Sequence, residues 1–206
     1  MEMTKLSCEK FLAGLASKAP TPGGGGTAAL VGAAGVALGN MVGNLTTGKK
    51  KYAAVEADIQ ALNTNADALR KELEALVQED AEAFAPLAAA YGLPKDTPEQ
   101  AADKERVMET ALTRAALVPI KIMQKCLEGI TLAYSYAVDG STMAISDAGC
   151  AAVLCKAALQ AASLNVFVNT KLMTNREFAT ALEHTAEQLL DAGTSSADEA
   201  FHYVNE

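Results

Sequence analysis

Tryptophan is absent from this chain, aromatic residues make up only 5% of it, and it has just two histidines, His184 and His202. With so few aromatic and clustered β-branched residues there is little to build a stacked-sheet core, which disfavours β architectures. The four cysteines, Cys8, Cys126, Cys150 and Cys155, contain no Cys-x-x-Cys pair, and neither histidine has ligand-like spacing to them. A zinc site is therefore not expected. Together with an N-terminus that has no signal-peptide pattern, this reads as free thiols in a reducing cytoplasm. Positive charge is also scarce: the net charge is −8. Apart from Lys49-Lys50-Lys51 no basic run appears, so nucleic-acid binding is not expected.

What is abundant is alanine, leucine and methionine, and half of the residues are hydrophobic. These are helix formers that pack closely. The 206 residues suit a single domain covering 1–206. The fold class expected is all-α, a compact bundle of long kinked helices. A short helix near Leu6–Lys18 ends at the Pro20/Pro22/glycine stretch. A second helix, Thr27–Thr47, carries Gly35, Gly39 and Gly43 at intervals of four, one helix face on which a neighbour can approach closely. Its length approaches the roughly 20 apolar residues needed to cross a bilayer. Asn40 and Asn44 and the missing aromatic belt favour a buried helix instead, and no membrane association is expected.

From Tyr52 to about Tyr91, apolar residues recur at Val55, Ile59, Leu62, Ala66, Leu69, Leu73 and Leu76, in alternating steps of four and three. This is a heptad seam. Its next position is Asp80. The Thr97-Pro98-Glu99-Gln100 run predicts a capping box, followed by a helix to Glu128 kinked at Pro119 and a separate helix over Ile130–Val138. Ser146 and Asp147 are expected to cap the next helix. Thr174 and Glu177 suggest a further capping box, with that helix ending near Ala192 and a last turn starting at Ser195–Asp198.

Several residues invite a functional reading beside a structural one. Asp80 on an apolar stripe is either a structural carboxylate bonded to a helix end or lysine, or an acid/base group with a raised pKa. Gly23, Gly24, Gly25 and Gly26 either form a hinge or offer free N–H groups at a helix start to a polar ligand. The pattern does not match a nucleotide P-loop. Lys49, Lys50 and Lys51 either complement a helix C-terminus or clamp an anionic ligand. The pairs Asn40/Asn44 and Asn165/Asn169 either satisfy one another or line a polar pocket. Asp147 is a cap or a second catalytic candidate.

Taken in order, PTPGGGGTAAL (Pro20–Leu30), MVGNLTTGKKKY (Met41–Tyr52), EDAEAF (Glu79–Phe84), SDAG (Ser146–Gly149) and NVFVN (Asn165–Asn169) resemble the cyclodeaminase/cyclohydrolase family, over nearly the whole chain. That family includes the cyclodeaminase part of formiminotransferase-cyclodeaminases and stand-alone methenyltetrahydrofolate cyclohydrolases. One departure is Gly26, where the family often has serine. The resemblance implies an all-helical homodimer acting on a tetrahydrofolate one-carbon adduct, with no metal or other cofactor. It implies that the glycines let backbone approach the folate. With that chemistry in view, Asp80 is the first acid/base candidate and Asp147 the second. The expected substrate contacts are Gly23–Gly26, Asn44, Lys49–Lys51, Ser146, Asn165 and Asn169, with the lysines holding the glutamate tail. No formiminotransferase portion accompanies these motifs, which favours hydrolysis of 5,10-methenyltetrahydrofolate over cyclodeamination of 5-formiminotetrahydrofolate. A non-catalytic folate binder is the alternative of another class.

Overall fold

A computed structural model describes residues 2–206. Six α-helices carry the fold: α1 (Cys8–Leu15), α2 (Gly24–Asn44), α3 (Glu56–Tyr91), α4 (Pro98–Asp139), α5 (Ile145–Thr170) and α6 (Arg176–Asn205). Short 3₁₀ turns precede α1, α3 and α5, at Met3–Lys5, Lys50–Tyr52 and Thr142–Ala144. Among the described residues there is no strand. The all-α expectation holds.

Helix α2 is apolar on every side, as a helix surrounded by others must be, and it packs against α3, α4 and α5. Its glycines make that possible. A methyl group at Gly35 would stand 2.7 Å from the Cys155 sulfur and 3.0 Å from the Ala151 carbonyl oxygen. At Gly43 it would stand 2.6 Å from the Tyr136 ring. The stripe expected over Gly35, Gly39 and Gly43 is thus filled by α3, α4 and α5 of the same chain. Both α2 and the stretch Thr142–Thr170 are long and apolar enough to cross a membrane by length and composition. About half of the α2 residues are buried against these neighbours.

The heptad seam of α3 points inward: Ile59, Ala66, Leu69, Leu73, Leu76, Ala83 and Leu87 are all buried. Pro86 sits in α3 without ending it. Thr97 caps α4 through the Gln100 N–H, and Gln100 completes the box, as the motif predicted.

Five boundaries differ from expectation. Helix α2 starts at Gly24, so the glycines are its first turn; Thr27 lies inside it and donates to the Gly23 carbonyl at 2.7 Å. Helix α4 runs unbroken through Pro119 and Gly129 to Asp139, so no separate helix forms over Ile130–Val138. Gly129 is a contact point, where a methyl would lie 2.9 Å from both Val36 and the Cys155 sulfur. Ser146 and Asp147 occupy the first turn of α5 and do not cap it; Ala144 holds that position, fed by the preceding 3₁₀ turn. The start of α6 is capped by Asn175, which accepts the Phe178 N–H at 3.1 Å, and not by Thr174. Thr174 donates through N–H and hydroxyl to Glu109, at 2.7 and 2.9 Å. Helix α6 also continues to Asn205, because Gly193 is a packing residue against Leu159 and Ile130.

Candidate active site

The heptad register of α3 turns Asp80 towards the first turn of α2. There the Asp80 Oδ2 accepts the Gly26 N–H at 2.7 Å. Gly26 is at the third helical position, where a backbone N–H has no partner within its own helix. The carboxylate of one helix therefore caps another. The capped helix must lack side chains at this point: a methyl at Gly25 would lie 2.6 Å from the Asp80 Cγ and 2.9 Å from its Oδ2. The glycines are required so that a carboxylate can lie against the backbone.

Asp80 is half-buried, and burial raises its pKa above the ordinary carboxylate range, more than the Gly26 hydrogen bond lowers it. It also faces a cavity of about 200 Å³. Pro20, Thr21 and Gly23–Gly25 form one wall, Asp80 and Phe84 of α3 a second, and Ala115 of α4 with Asn165, Val168 and Asn169 of α5 close it. The Asn169 amide donates to the carbonyls of Ala115 (3.0 Å) and Asn165 (2.8 Å), tying α5 to α4 at the cavity's edge. Asn165 donates to Ala161 at 2.9 Å, and its amide lies beside Gly24, where an added methyl would be 3.2 Å from Nδ2.

Of the residues singled out from sequence, Gly23, Gly24, Gly25, Asp80, Asn165 and Asn169 thus meet around one cavity, with Gly26 bonded to its carboxylate. Phe84, Val168, Thr21, Pro20 and Ala115 were not singled out as site residues. Phe84 was legible in principle, because it follows Asp80 by one helical turn.

The remaining candidates gather elsewhere. Asn44 is at the far end of α2, about 28 Å from Gly25 at 1.5 Å per residue. It belongs to an amide cluster: it donates to Asn40 at 3.3 Å and accepts from Asn63 at 3.3 Å, and Tyr136 donates to Asn63 at 2.9 Å. The amides satisfy one another, as one of the two sequence readings had it. Nearby, Lys49 Nζ donates to Ser141 at 3.4 Å and Lys51 Nζ to Thr142 at 3.3 Å. The Tyr52 hydroxyl accepts the Thr142 N–H at 3.0 Å. Hydrogen bonds from the Thr142 hydroxyl and N–H, with help from Lys51, lower the Tyr52 pKa to about 7. Lys50, Ser146 and Asp147 lie at this same end, and Asp147 is about 27 Å along α5 from Asn165. Within one chain, then, Asp147 and the lysines do not reach the Asp80 cavity. Among the described residues no group of three or more histidine, cysteine or acidic side chains is placed to hold a metal ion.

A family model described as formiminotransferase-cyclodeaminase matches residues 7–188. A methenyltetrahydrofolate cyclohydrolase of Methylorubrum extorquens is 48% identical over 83% of this chain and 82% of its own length. The formimidoyltransferase-cyclodeaminase of Rattus norvegicus is 30% identical over 93% of this chain, which spans only 35% of that longer protein. The crystal structure of a formiminotetrahydrofolate cyclodeaminase from Thermotoga maritima superposes with a TM-score of 0.82, covering 99% of this chain and 96% of that one at 28% identity.

Proposed function

The chain belongs to the formiminotransferase-cyclodeaminase family, and from that premise we propose that it hydrolyses 5,10-methenyltetrahydrofolate to 10-formyltetrahydrofolate. The observation that carries this choice is the 48% identity to a methenyltetrahydrofolate cyclohydrolase along most of both chains. The cavity chemistry suits it. The methenyl carbon is flanked by N5 and N10 in an amidinium-like cation and is already electrophilic. Water adds to this carbon and gives up a proton; the bond from the carbon to N5 then breaks. N5 receives one proton, the second proton of water is released, and the carbon stays on N10 as a formyl group. A carboxylate can take the proton from water and hand one to N5. Burial brings the pKa of Asp80 closer to neutral pH, which suits both transfers. Glycine backbone along one wall leaves room for a flat ring, and Phe84 offers it an apolar face.

This reaction needs no redox partner and no nucleotide, and the proposal includes no metal. It makes Asp80 the acid/base group, with Gly23–Gly26, Asn165 and Asn169 as substrate contacts. The working form proposed is a cytoplasmic homodimer. All four cysteines are free thiols, in keeping with a reducing compartment.

Cyclodeamination of 5-formiminotetrahydrofolate is the second reading. The Thermotoga structure, matched over nearly the full length of both chains, favours it. There N10 attacks the formimino carbon and ammonia leaves, and the same carboxylate could supply the leaving group with its proton. One assay separates the readings: purified protein with each adduct, in the presence of a chelator, following the methenyl chromophore. Loss of absorbance with methenyltetrahydrofolate supports hydrolysis, and a gain with the formimino adduct supports cyclodeamination. No change with either adduct, from folded protein that binds folate, leaves only a folate-binding role.

A further inference from the structure

Helix α5 ends inside the wall of the Asp80 cavity. Its last two turns supply Asn165, Val168 and Asn169 to that wall, and the helix stops at Thr170. The final carbonyls of a helix have no partner within it, and such ends fray unless something else holds them. Here the chain that follows supplies donors: the N–H groups of Lys171, Leu172 and Met173 go to the carbonyls of Phe167, Asn169 and Thr170. The Arg176 guanidinium adds a bond to the Thr170 carbonyl at 2.6 Å and reaches Glu183 at 3.3 Å. Met173 is buried and pins the middle of the connection.

The donors ahead of α6 are answered from a third helix. Glu109, half-buried on α4, accepts the Thr174 N–H and hydroxyl through Oε2, at 2.7 and 2.9 Å, and the Asn175 N–H through Oε1 at 3.0 Å. Hydrogen bonds to an ionised carboxylate are the stronger kind. Six residues further along α4, about 9 Å at 1.5 Å per residue, the Ala115 carbonyl takes the Asn169 amide at 3.0 Å. Helix α4 thus grips the chain on both sides of the α5 terminus, by its backbone at Asn169 and by Glu109 at Thr174 and Asn175. Of these, Ala115 and Asn169 line the cavity and Glu109 does not.

We propose that Glu109 is a positioning residue for the Asp80 cavity: its grip on Thr174 and Asn175 keeps the last two turns of α5, and with them Asn165 and Asn169, where substrate needs them. The proposal rests on reading the cavity as the folate site. Glu109 touches no reacting atom. It acts through Asn165, whose amide stands beside Gly24, and through the Asn169 tie to α4. A small displacement of this wall leaves Asp80 untouched on α3. It therefore weakens substrate binding and spares the chemical step.

Two variants decide it, assayed at a temperature where circular dichroism shows each fully folded. Glu109→Ala should raise KM for the folate adduct that is turned over about ten-fold and change kcat less than about two-fold. Glu109→Gln, whose amide oxygen still accepts one N–H, should recover most of the loss. Arg106→Ala removes a surface pair with Asp103 on the same helix and should change neither constant. In an Asn165→Ala background, Glu109→Ala should raise KM no more than about three-fold, because the amide it positions is gone. Hydrogen exchange without substrate gives a second readout. The amides of 169–173, which Glu109 does not touch, should exchange faster in Glu109→Ala, and those of 24–27 should not. Unchanged KM alongside faster exchange makes the grip structural only and overturns the proposal. So does an equal KM effect in the Asn165→Ala background, or unchanged exchange at 169–173. If wild-type protein turns over neither folate adduct, the folate reading fails, and the exchange at 169–173 alone decides whether Glu109 holds the end of α5.

Discussion

The Asp80 carboxylate accepts the Gly26 N–H at 2.7 Å, so the acid/base candidate on α3 is also the cap of α2. The structural and functional readings of this residue are not alternatives: one oxygen holds a helix end while the carboxylate borders the cavity.

Asp80→Asn separates the two roles. An amide oxygen can still accept the Gly26 N–H but cannot take a proton, so turnover should fall at least about 100-fold. The stability effect has a defined sign. The folded-state pKa is raised by burial, so the fold disfavours the ionised form. Between the ordinary carboxylate value of about 3.9 and the raised one, the folded state binds more protons, and wild-type stability falls as pH rises. Asp80→Asn removes that loss. Its melting temperature should match or exceed wild type at neutral pH, with the advantage vanishing below the ordinary carboxylate value. A variant less stable at neutral pH and fully active would take Asp80 out of the mechanism.

Gly25→Ala tests why the glycines are there. Its methyl overlaps the Asp80 carboxylate, which must move, so both turnover and melting temperature should fall. Adding Asp80→Ala removes the obstacle. The double variant should regain most of the lost stability and none of the activity, a coupling that contacting residues show and distant ones do not. Additive losses in stability would mean that the two side chains do not meet. Loss of folate binding with no loss of stability in Gly25→Ala would place the glycine's role at the ligand alone.

The α3 seam placed Asp80 on the core stripe because heptad spacing survives any detail of packing. The Thr97 box was legible for a similar reason: it is local. The breaks expected between Glu128 and Ile130 and near Ala192 fall at Gly129 and Gly193; a glycine that ends a helix and one that admits a neighbour look alike in sequence, and only the Cys155 and Leu159 side chains opposite them decide. The Ser146-Asp147 cap failed because the 3₁₀ turn Thr142–Ala144 just before it starts the helix earlier, and the Thr174 cap failed because Glu109, far away in sequence, takes its N–H and hydroxyl. Asn44 and the lysine run were grouped with Asp80 by type of chemistry, whereas the lengths of α2 and α5 set them at the other end of the bundle. Phe84 and Val168 were quoted within motifs but passed over, since an apolar residue carries no chemical flag.

Gly43→Ala probes that far end. An added methyl would press on the Tyr136 ring at 2.6 Å and on the Asn63 amide carbon at 2.9 Å. Overpacking of this kind costs about 1–3 kcal/mol. Tyr136→Phe, which loses the 2.9 Å hydrogen bond to Asn63, should cost about 1 kcal/mol. Denaturant melts measure both. Turnover at saturating substrate should stay near wild type, because this cluster stands about 28 Å along α2 from Gly25. A large fall in turnover at unchanged stability would show that the amide cluster belongs to the reaction.

Asn165 and Asn169 line the same cavity and should nevertheless behave oppositely. Asn169 is 9% exposed, and its amide bridges the Ala115 carbonyl of α4 and the Asn165 carbonyl of α5. Asn169→Leu removes both donors and leaves the Ala115 carbonyl without this partner, a loss of about 1–3 kcal/mol. Asn165 is less buried, and the one hydrogen bond of its side chain among the described residues, to the Ala161 carbonyl, is within its own helix. Its amide is free to turn its other polar atoms towards a ligand beside Gly24. Asn165→Ala should therefore leave the unfolding free energy within about 0.5 kcal/mol of wild type, the usual range for a substitution that removes no buried partner, and raise KM or lower kcat instead. Paired melts and initial rates on the two variants decide the assignment. If Asn165→Ala unfolds the protein as readily as Asn169→Leu does, both amides are framework, and the polar wall of the cavity reduces to glycine backbone and Asp80.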